Sequence, residues 1–428
     1  MNDRLPSPMA SVPASPTVAQ LASSYFVTSL IFLLPALTLN ARFGVGLIEV
    51  GVLFGIVFYA RTLFQQRQAT WWPARYVIAV FAFSLVVAAA SSLQTGFAWQ
   101  SLDNPIRQSI AILVIGLVVH AKPKSDWFWY GLFFGAVSAG LFAAYQRFGL
   151  NMLRAEGVHM PIMFGDIAIA MALMSLASIT RFGKTRYAAL PYIAFAGGLL
   201  ASLLSGSRGG WAVLALCVIP LYRFGTPSTS RRTAIITAIG IALLAGAAFI
   251  PKLGMQQRFS DVVTDIRLYQ TGDPVTSVGA RLEMWKGALK LIAEHPAAGV
   301  GRANFNHGLT ELIAKKELSP SVAIYHHAHN EMLHAMATQG ILGGVALLLM
   351  YAAPLAFFMA QLRIAGSHQP FALAGVLLGL SFVAFGLTQV MFSHHVGSAF
   401  HALATGVLAG LCLLRRQQDD ALRTRVAC

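Results

Sequence analysis

The stretch YHHAHNEMLHAMATQGILGG, Tyr325 to Gly344, places three histidines and an Asn-Glu pair directly ahead of an apolar run. His326, His329 and Asn330 are spaced by three and four residues, so a helical segment would set them on one face, where they could converge on one small group. The same face continues through Leu333 and Met336 toward Gly340 and Gly344. This puts the polar cluster at the water edge of a membrane helix, so that chemistry and membrane meet at one point of the chain.

The rest of the sequence agrees with that placement. Its 428 residues are 56% hydrophobic and 11% charged, and the mean hydropathy is +0.64, too apolar for a soluble domain of this size. Apolar runs of roughly twenty residues, each long enough to cross a ~30 Å hydrocarbon core as a helix, are predicted at 21 to 40, 44 to 60, 72 to 92, 105 to 120, 127 to 146, 161 to 180, 187 to 204, 209 to 222, 233 to 250, 332 to 360, 371 to 391 and 397 to 414. Open sheets would leave unpaired edges in lipid. The expected fold class is therefore an all-α integral membrane protein of about twelve transmembrane helices. Residues 1–20, rich in Pro and Ser, read as a disordered cytoplasmic tail. Residues 21–250 carry spans one to nine, 251–331 a large and mostly helical loop on the outer side, 332–414 the last three spans, and 415–428 a cytoplasmic tail. The weakly charged start, with no small-residue cleavage site after the first run, argues against a signal peptide.

The formal net charge is +15, but its distribution speaks for topology rather than nucleic acid. Lys and Arg gather in alternate short connections (Arg61, Arg67 and Arg75; Lys122 and Lys124; Arg181, Lys184 and Arg186; Arg223, Arg231 and Arg232; Arg363) and in the tail after Leu414. The opposite connections hold fewer: Arg42, Arg107, Arg147, Arg154 and Arg208. This asymmetry follows the positive-inside rule and puts both termini in the cytoplasm. Cys217, Cys412 and Cys428 form no disulfide framework.

The connection from Pro251 to Glu331 is far longer than the others and holds eight of the 16 acidic residues. Long loops of this kind are usually functional. Within it ARLEMWKGALKLI, 280 to 292, has Leu282, Trp285, Leu289 and Ile292 at helical spacing, a helix expected to lie across the outer mouth of the bundle.

Several pieces can carry chemistry. In SGSRGG, 205 to 210, small residues let backbone and guanidinium approach a ligand, and Arg suits bidentate phosphate binding; the alternative is a tight turn with a snorkelling Arg208. Arg281 is either a ligand-facing cation or part of a solvated helix face. The histidines could supply a general base, hold a metal through His326, His327 and His329, or cap a helix at the interface. No acidic metal motif stands on the outer side, so no metal and no cofactor is expected. HPAAGVGRANF, 295 to 305, is a loop shaped by one proline and two glycines. Glu49 and Asp166 lie in or beside spans, where ionisable groups suggest function or an ion pair with a neighbouring Arg. His394, His395 and His401 read as interfacial.

Together these pieces resemble the O-antigen ligase and polymerase superfamily. The resemblance rests on SGSRGGW at 205 to 211, on R-x-x-x-W-x-x-A-x-x-x-I-x-x-HP-x-x-GVG-x-x-NF from Arg281 to Phe305, and on HN-x-x-L-x-x-x-x-x-x-G-x-x-G from His329 to Gly343, with FGDIAIAM at 164 to 171 also similar. It implies an enzyme at the periplasmic face of the bacterial inner membrane that takes a glycan from undecaprenyl diphosphate. In the ligases the acceptor is a sugar hydroxyl of lipid A-core; the polymerases extend the glycan, and a third branch glycosylates protein. The resemblance assigns catalytic roles to Arg208, Arg281 and His329, with His326 one turn away as a competitor for the last. Substrate contacts are expected from His326, Asn330, Arg302, Ser207 and Asp166. The expected partners are the lipid-linked donor, the lipid A-core acceptor and the bilayer. The rival from another class is a transporter lined by Glu49 and Asp166, which predicts broken helices in paired halves; the sequence has no such inverted symmetry.

Overall fold

The computed structural model describes residues 17–427 apart from 66, 95, 98, 208, 225–230, 232–234, 236–237, 241, 243–245 and 247–254, with backbone alone at 69, 70, 111, 255–261 and 427. Among the described residues there is no strand, and the chain is an all-α membrane protein. We number the main helices α1 (Val18–Thr38), α2 (Gly44–Gln65), α3 (Arg75–Leu93), α4 (Asp103–Ala121), α5 (Asp126–Ala144), α6 (Pro161–Ala177), α7 (Leu190–Ser205), α8 (Ala212–Phe224), α9 (Met255–Gln270), α10 (Ser277–Glu294), α11 (Phe305–Ala314), α12 (Glu331–Leu362), α13 (Gln369–Gly386) and α14 (His395–Ala427). Among the described residues eight helices are long and apolar enough to cross a membrane, and α6, α7 and α8 are shorter apolar helices. Each expected span has its helix except that at 233 to 250, most of which lies outside the described residues.

One end differs from expectation. Helix α1 begins at Val18, inside the tail predicted to be disordered to residue 20, because Thr17 and Gln20 form a capping box: the Gln20 N–H donates to Thr17 Oγ1 at 3.3 Å and the Thr17 N–H to Gln20 Oε1 at 2.9 Å. The segment from 415, expected as a cytoplasmic tail, is helical, with α14 continuing unbroken to Ala427. Residues 1–16 of the first tail lie outside the described residues.

The centre of the bundle is α6, buried at every residue from Met163 to Ala177, as a helix apolar on all sides must be. Helices α7 and α13 pack on it, α5 packs on α7, and α4 packs along α14. Association of helices in lipid depends on close backbone approach at small residues. Between α5 and α7 a Cβ on Gly140 would stand 2.5 Å from the Gly197 carbonyl oxygen.

The described part of the 251–331 segment is folded and has its own core, in which Ala280, Met284, Ala288 and Leu291 of α10 meet Phe305, Leu309 and Leu312 of α11. The buried face of α10 is thus rotated from the expected Leu282, Trp285, Leu289 and Ile292 stripe, and Leu289 is 57% exposed. Glu283, on the buried face, accepts from the Tyr269 hydroxyl at 2.8 Å and the Ser319 N–H at 3.0 Å, bonds that remove the cost of burying a carboxylate.

Candidate active site

The region around His329 is set by a break in a membrane helix. Gly340 interrupts α12 with φ 63 and ψ −159, leaving carbonyls of the preceding turn without helical partners, which lipid cannot satisfy. The 296–301 loop fills the gap: the Val300 N–H donates to the Ala337 carbonyl at 2.9 Å, Gly301 to Thr338 at 2.9 Å, and Ile341 to the Pro296 carbonyl at 2.9 Å. No side chain fits at the contact. A Cβ on Gly340 would stand 2.2 Å from the Ala297 oxygen, and one on Gly299 would stand 2.4 Å from the Gln339 nitrogen. The HPAAGVG and G-x-x-G strings, separated in sequence, are therefore two halves of one joint.

Ahead of that joint the chain from Tyr325 to Asn330 is a loop, and here the structure corrects the helical reading. Helix α12 starts at Glu331 with Asn330 as its N-cap, Oδ1 accepting from the Leu333 N–H at 3.0 Å. His326, His329 and Asn330 therefore share no helix face. His326 is exposed, and the ring against His329 is that of His327, 4.5 Å between centroids. Side chains from distant segments hold the loop. Trp285 Nε1 donates to the Ala328 carbonyl at 2.9 Å, Asn306 Nδ2 donates to the Ala323 and Tyr325 carbonyls, and Asn330 Nδ2 donates to Leu387 at 3.2 Å. His329 itself sits at φ 48, a left-handed backbone that a non-glycine residue keeps only where its surroundings demand it.

His329 Nδ1 is 2.9 Å from Gln389 Oε1. Burial, with the neighbouring His327 and Arg281 charges, pushes its pKa down to about 4, so the ring is neutral at pH 7. His394, whose ring is 5.3 Å from that of His327, is likewise held at about 4 by burial.

Thr388, the chain neighbour of Gln389, lines a cavity of about 670 Å³ together with Arg281 from α10, Arg154, Ser207 and Gly209 of the SGSRGG turn, and Asp265; His329 is not in its lining, and meets it through the charge of Arg281. Arg281 has no ion pair among the described residues, and burial holds its pKa below the ordinary value while it stays charged at neutral pH. Asp265 uses Oδ2 to accept the Val278 N–H at the start of α10, at 3.2 Å. The turn is anchored from beneath: Ser207 Oγ donates to Oδ1 of the fully buried Asp166 at 2.5 Å, and Arg154 Nε donates to the Ser205 carbonyl at 2.7 Å. Arg208 lies outside the described residues, between two residues that line the cavity.

Other candidates stand elsewhere. Arg302 lines a separate pocket of about 40 Å³ with Glu331, His334 and Gln108, and its Nε donates to the Ser101 carbonyl at 3.1 Å. Glu49 pairs with Arg107, and His395 lies 3.6 Å from the same carboxylate. His401 is not interfacial: it is 1% exposed among the rings of Phe81, Phe382 and Phe392. Among the described residues no three His, Cys, Asp or Glu side chains are grouped to hold a metal ion. The sequence reading missed Arg154, Asp265, Thr388 and Gln389. The signal available for the last two was a Thr-Gln pair closing an apolar run, polar groups at a span end being rarely idle.

A bundle of membrane helices capped at one end by a helical layer, with Arg281 lining a cavity and a neutral histidine near that arginine, defines a polytopic membrane protein with a candidate site at that end. A family model described as O-Antigen ligase matches residues 193–348, the window holding the SGSRGG turn, α10, the helix joint and the histidine loop. An uncharacterized protein of Haemophilus influenzae is 27% identical over 309 residues, 71% of this chain and 77% of the relative. The O-antigen ligase of Escherichia coli (strain K12) is 26% identical over 178 residues, 41% of this chain and 40% of that protein. Over residues 193–348 the chain is thus similar to the O-antigen ligase family, and its apolar helices taken with that match make it a multi-pass inner-membrane protein.

Proposed function

We propose that the protein is an O-antigen ligase, transferring O-antigen polysaccharide from undecaprenyl diphosphate to a sugar hydroxyl of lipid A-core at the periplasmic face, with both termini cytoplasmic. The observation that carries this reading is the neutral His329 imidazole near Arg281, which lines the cavity. In the reaction the acceptor oxygen forms a bond to the anomeric carbon as the bond to the diphosphate breaks. The hydroxyl proton passes to His329, and the electron pair of the broken bond leaves on the diphosphate. Direct displacement of an α-linked donor inverts the configuration. Charge grows on the leaving oxygens, so Arg281 and Arg208 bind the transition state more tightly than the ground state, without need of a metal. Asp166 and Ser207 hold the SGSRGG turn, while Asn330 ties the histidine loop to the end of α13.

The helix joint also weighs against a transporter, because the carbonyls freed at Gly340 are occupied by Val300 and Gly301 rather than open to an ion. The test is reconstitution in bilayers with a lipid-linked donor and three acceptors offered separately. Transfer to lipid A-core supports a ligase. Transfer only to a second lipid-linked glycan makes the protein a polymerase, and transfer only to protein makes it an oligosaccharyltransferase.

A further inference from the structure

Gln389 follows the last turn of α13 and is 1% exposed. An amide side chain can present either oxygen or nitrogen to a neighbour, and here its neighbours decide which. The Val390 backbone N–H points at the same atom that faces His329, at 3.1 Å. A backbone N–H only donates, so that atom is the amide oxygen, Oε1, and an oxygen only accepts. The ring nitrogen facing it, His329 Nδ1, must then carry the proton, which leaves the lone pair on Nε2.

We infer that Gln389 is a positioning residue for this reaction, whose side-chain oxygen fixes His329 in the tautomer with the proton on Nδ1 and the lone pair on Nε2. The inference rests on the reading of His329 as the base. A neutral imidazole left to itself exchanges between tautomers, and the one protonated on Nε2 could not take a proton there. A carboxylate in place of Gln389 would select the same tautomer but would also stabilise the imidazolium. A buried amide orients the ring and leaves it neutral. The charged or titratable groups around the ring do not supply this orientation: His327 and Tyr325 belong to its own loop, Arg281 comes from α10, and His394 precedes α14. The position lies sixty residues from His329 and outside the 193–348 match.

The experiment compares the full-length protein in bilayers with its Gln389→Met and Gln389→Glu variants, both close to Gln in volume. Two readouts are taken: kcat and KM for transfer across pH, and the nitrogen-15 resonances of the His329 ring, assigned by difference against His329→Gln. In the parent protein the ring should be protonated on Nδ1. Gln389→Met should lose that preference and about 10² in kcat, the lower end of what a general base supplies, with KM little changed. Gln389→Glu should keep the tautomer and move the acid limb of the kcat profile upward. A parent ring protonated on Nε2 overturns the proposal whether or not transfer occurs. So does a Gln389→Met protein with parental kcat, or a Gln389→Glu protein whose acid limb stays in place. A parent protein with the expected tautomer that transfers glycan to no tested acceptor refutes the ligase reading instead, while the ring resonances still decide whether Gln389 orients His329.

Discussion

Arg281 and Arg302 stand on the same loop, yet the molecule uses them differently. Arg281 faces a cavity of about 670 Å³ with no ion pair among the described residues. Arg302 is stitched into the bundle, its Nε on the Ser101 carbonyl, its own N–H on Ser91 Oγ, and the Glu331 carboxylate near enough to oppose the lowering of its pKa by burial. Its pocket of about 40 Å³ has room for little more than water. An arginine with open space before it has room to meet a ligand, whereas one tied by its side chain to the Ser101 carbonyl and by its backbone to Ser91 holds two layers together.

The largest effect should fall beside the first arginine. Replacing His329 with Ala should cost about 10² to 10⁴ in transfer rate while the thermal unfolding of the solubilised protein stays unchanged; His326→Ala should keep most of the rate. A reversed order would move the base to the exposed histidine and out of the comparison.

Conservative exchange of the two arginines should separate them next. Arg281→Lys keeps the charge but loses planar two-point contact with a diphosphate, so binding of lipid-linked donor should fall sharply with Tm held. Arg302→Lys should instead lower stability, by the ~1.5–3 kcal/mol expected of a lost hydrogen bond to a charged group, seen as a lower Tm, and leave donor binding per folded molecule intact. If both variants lost donor binding alone, the division between substrate site and structural tie would be wrong.

Acid should loosen the histidine side of the comparison. His327, His329 and His394 are all held below their ordinary value of 6.5 by burial, the last two at about 4. The unfolded chain therefore binds more protons than the folded one below pH 6.5, and their contribution to stability is full above that value and lost as pH falls toward 4. Tm should drop between pH 7 and pH 4.5, and His394→Gln should shrink the drop.

The smallest expected effect is none at all: transfer should survive EDTA, since guanidiniums take the role of a divalent cation at the leaving diphosphate. Loss of rate with recovery on added Mg²⁺, Mn²⁺ or Zn²⁺ would refute that.

What could be read from the chain alone was whatever depends on a segment by itself. A membrane helix satisfies its own backbone, so apolar length predicts it without reference to neighbours, and the helices at nearly every expected span follow from that. The α10 helix and the residues of the SGSRGG turn were legible for the same local reason. The rest depended on contacts between remote segments. Asn330 caps a helix that starts at Glu331, beyond His326 and His329, so the three-and-four spacing of His326, His329 and Asn330 carried no shared face. The break at Gly340 exists because the 296–301 loop supplies its missing hydrogen bonds. The tautomer of His329 depends on an amide oxygen sixty positions away. Hydrogen bonds between distant segments have no period along the chain, and only the folded bundle decides which of them form.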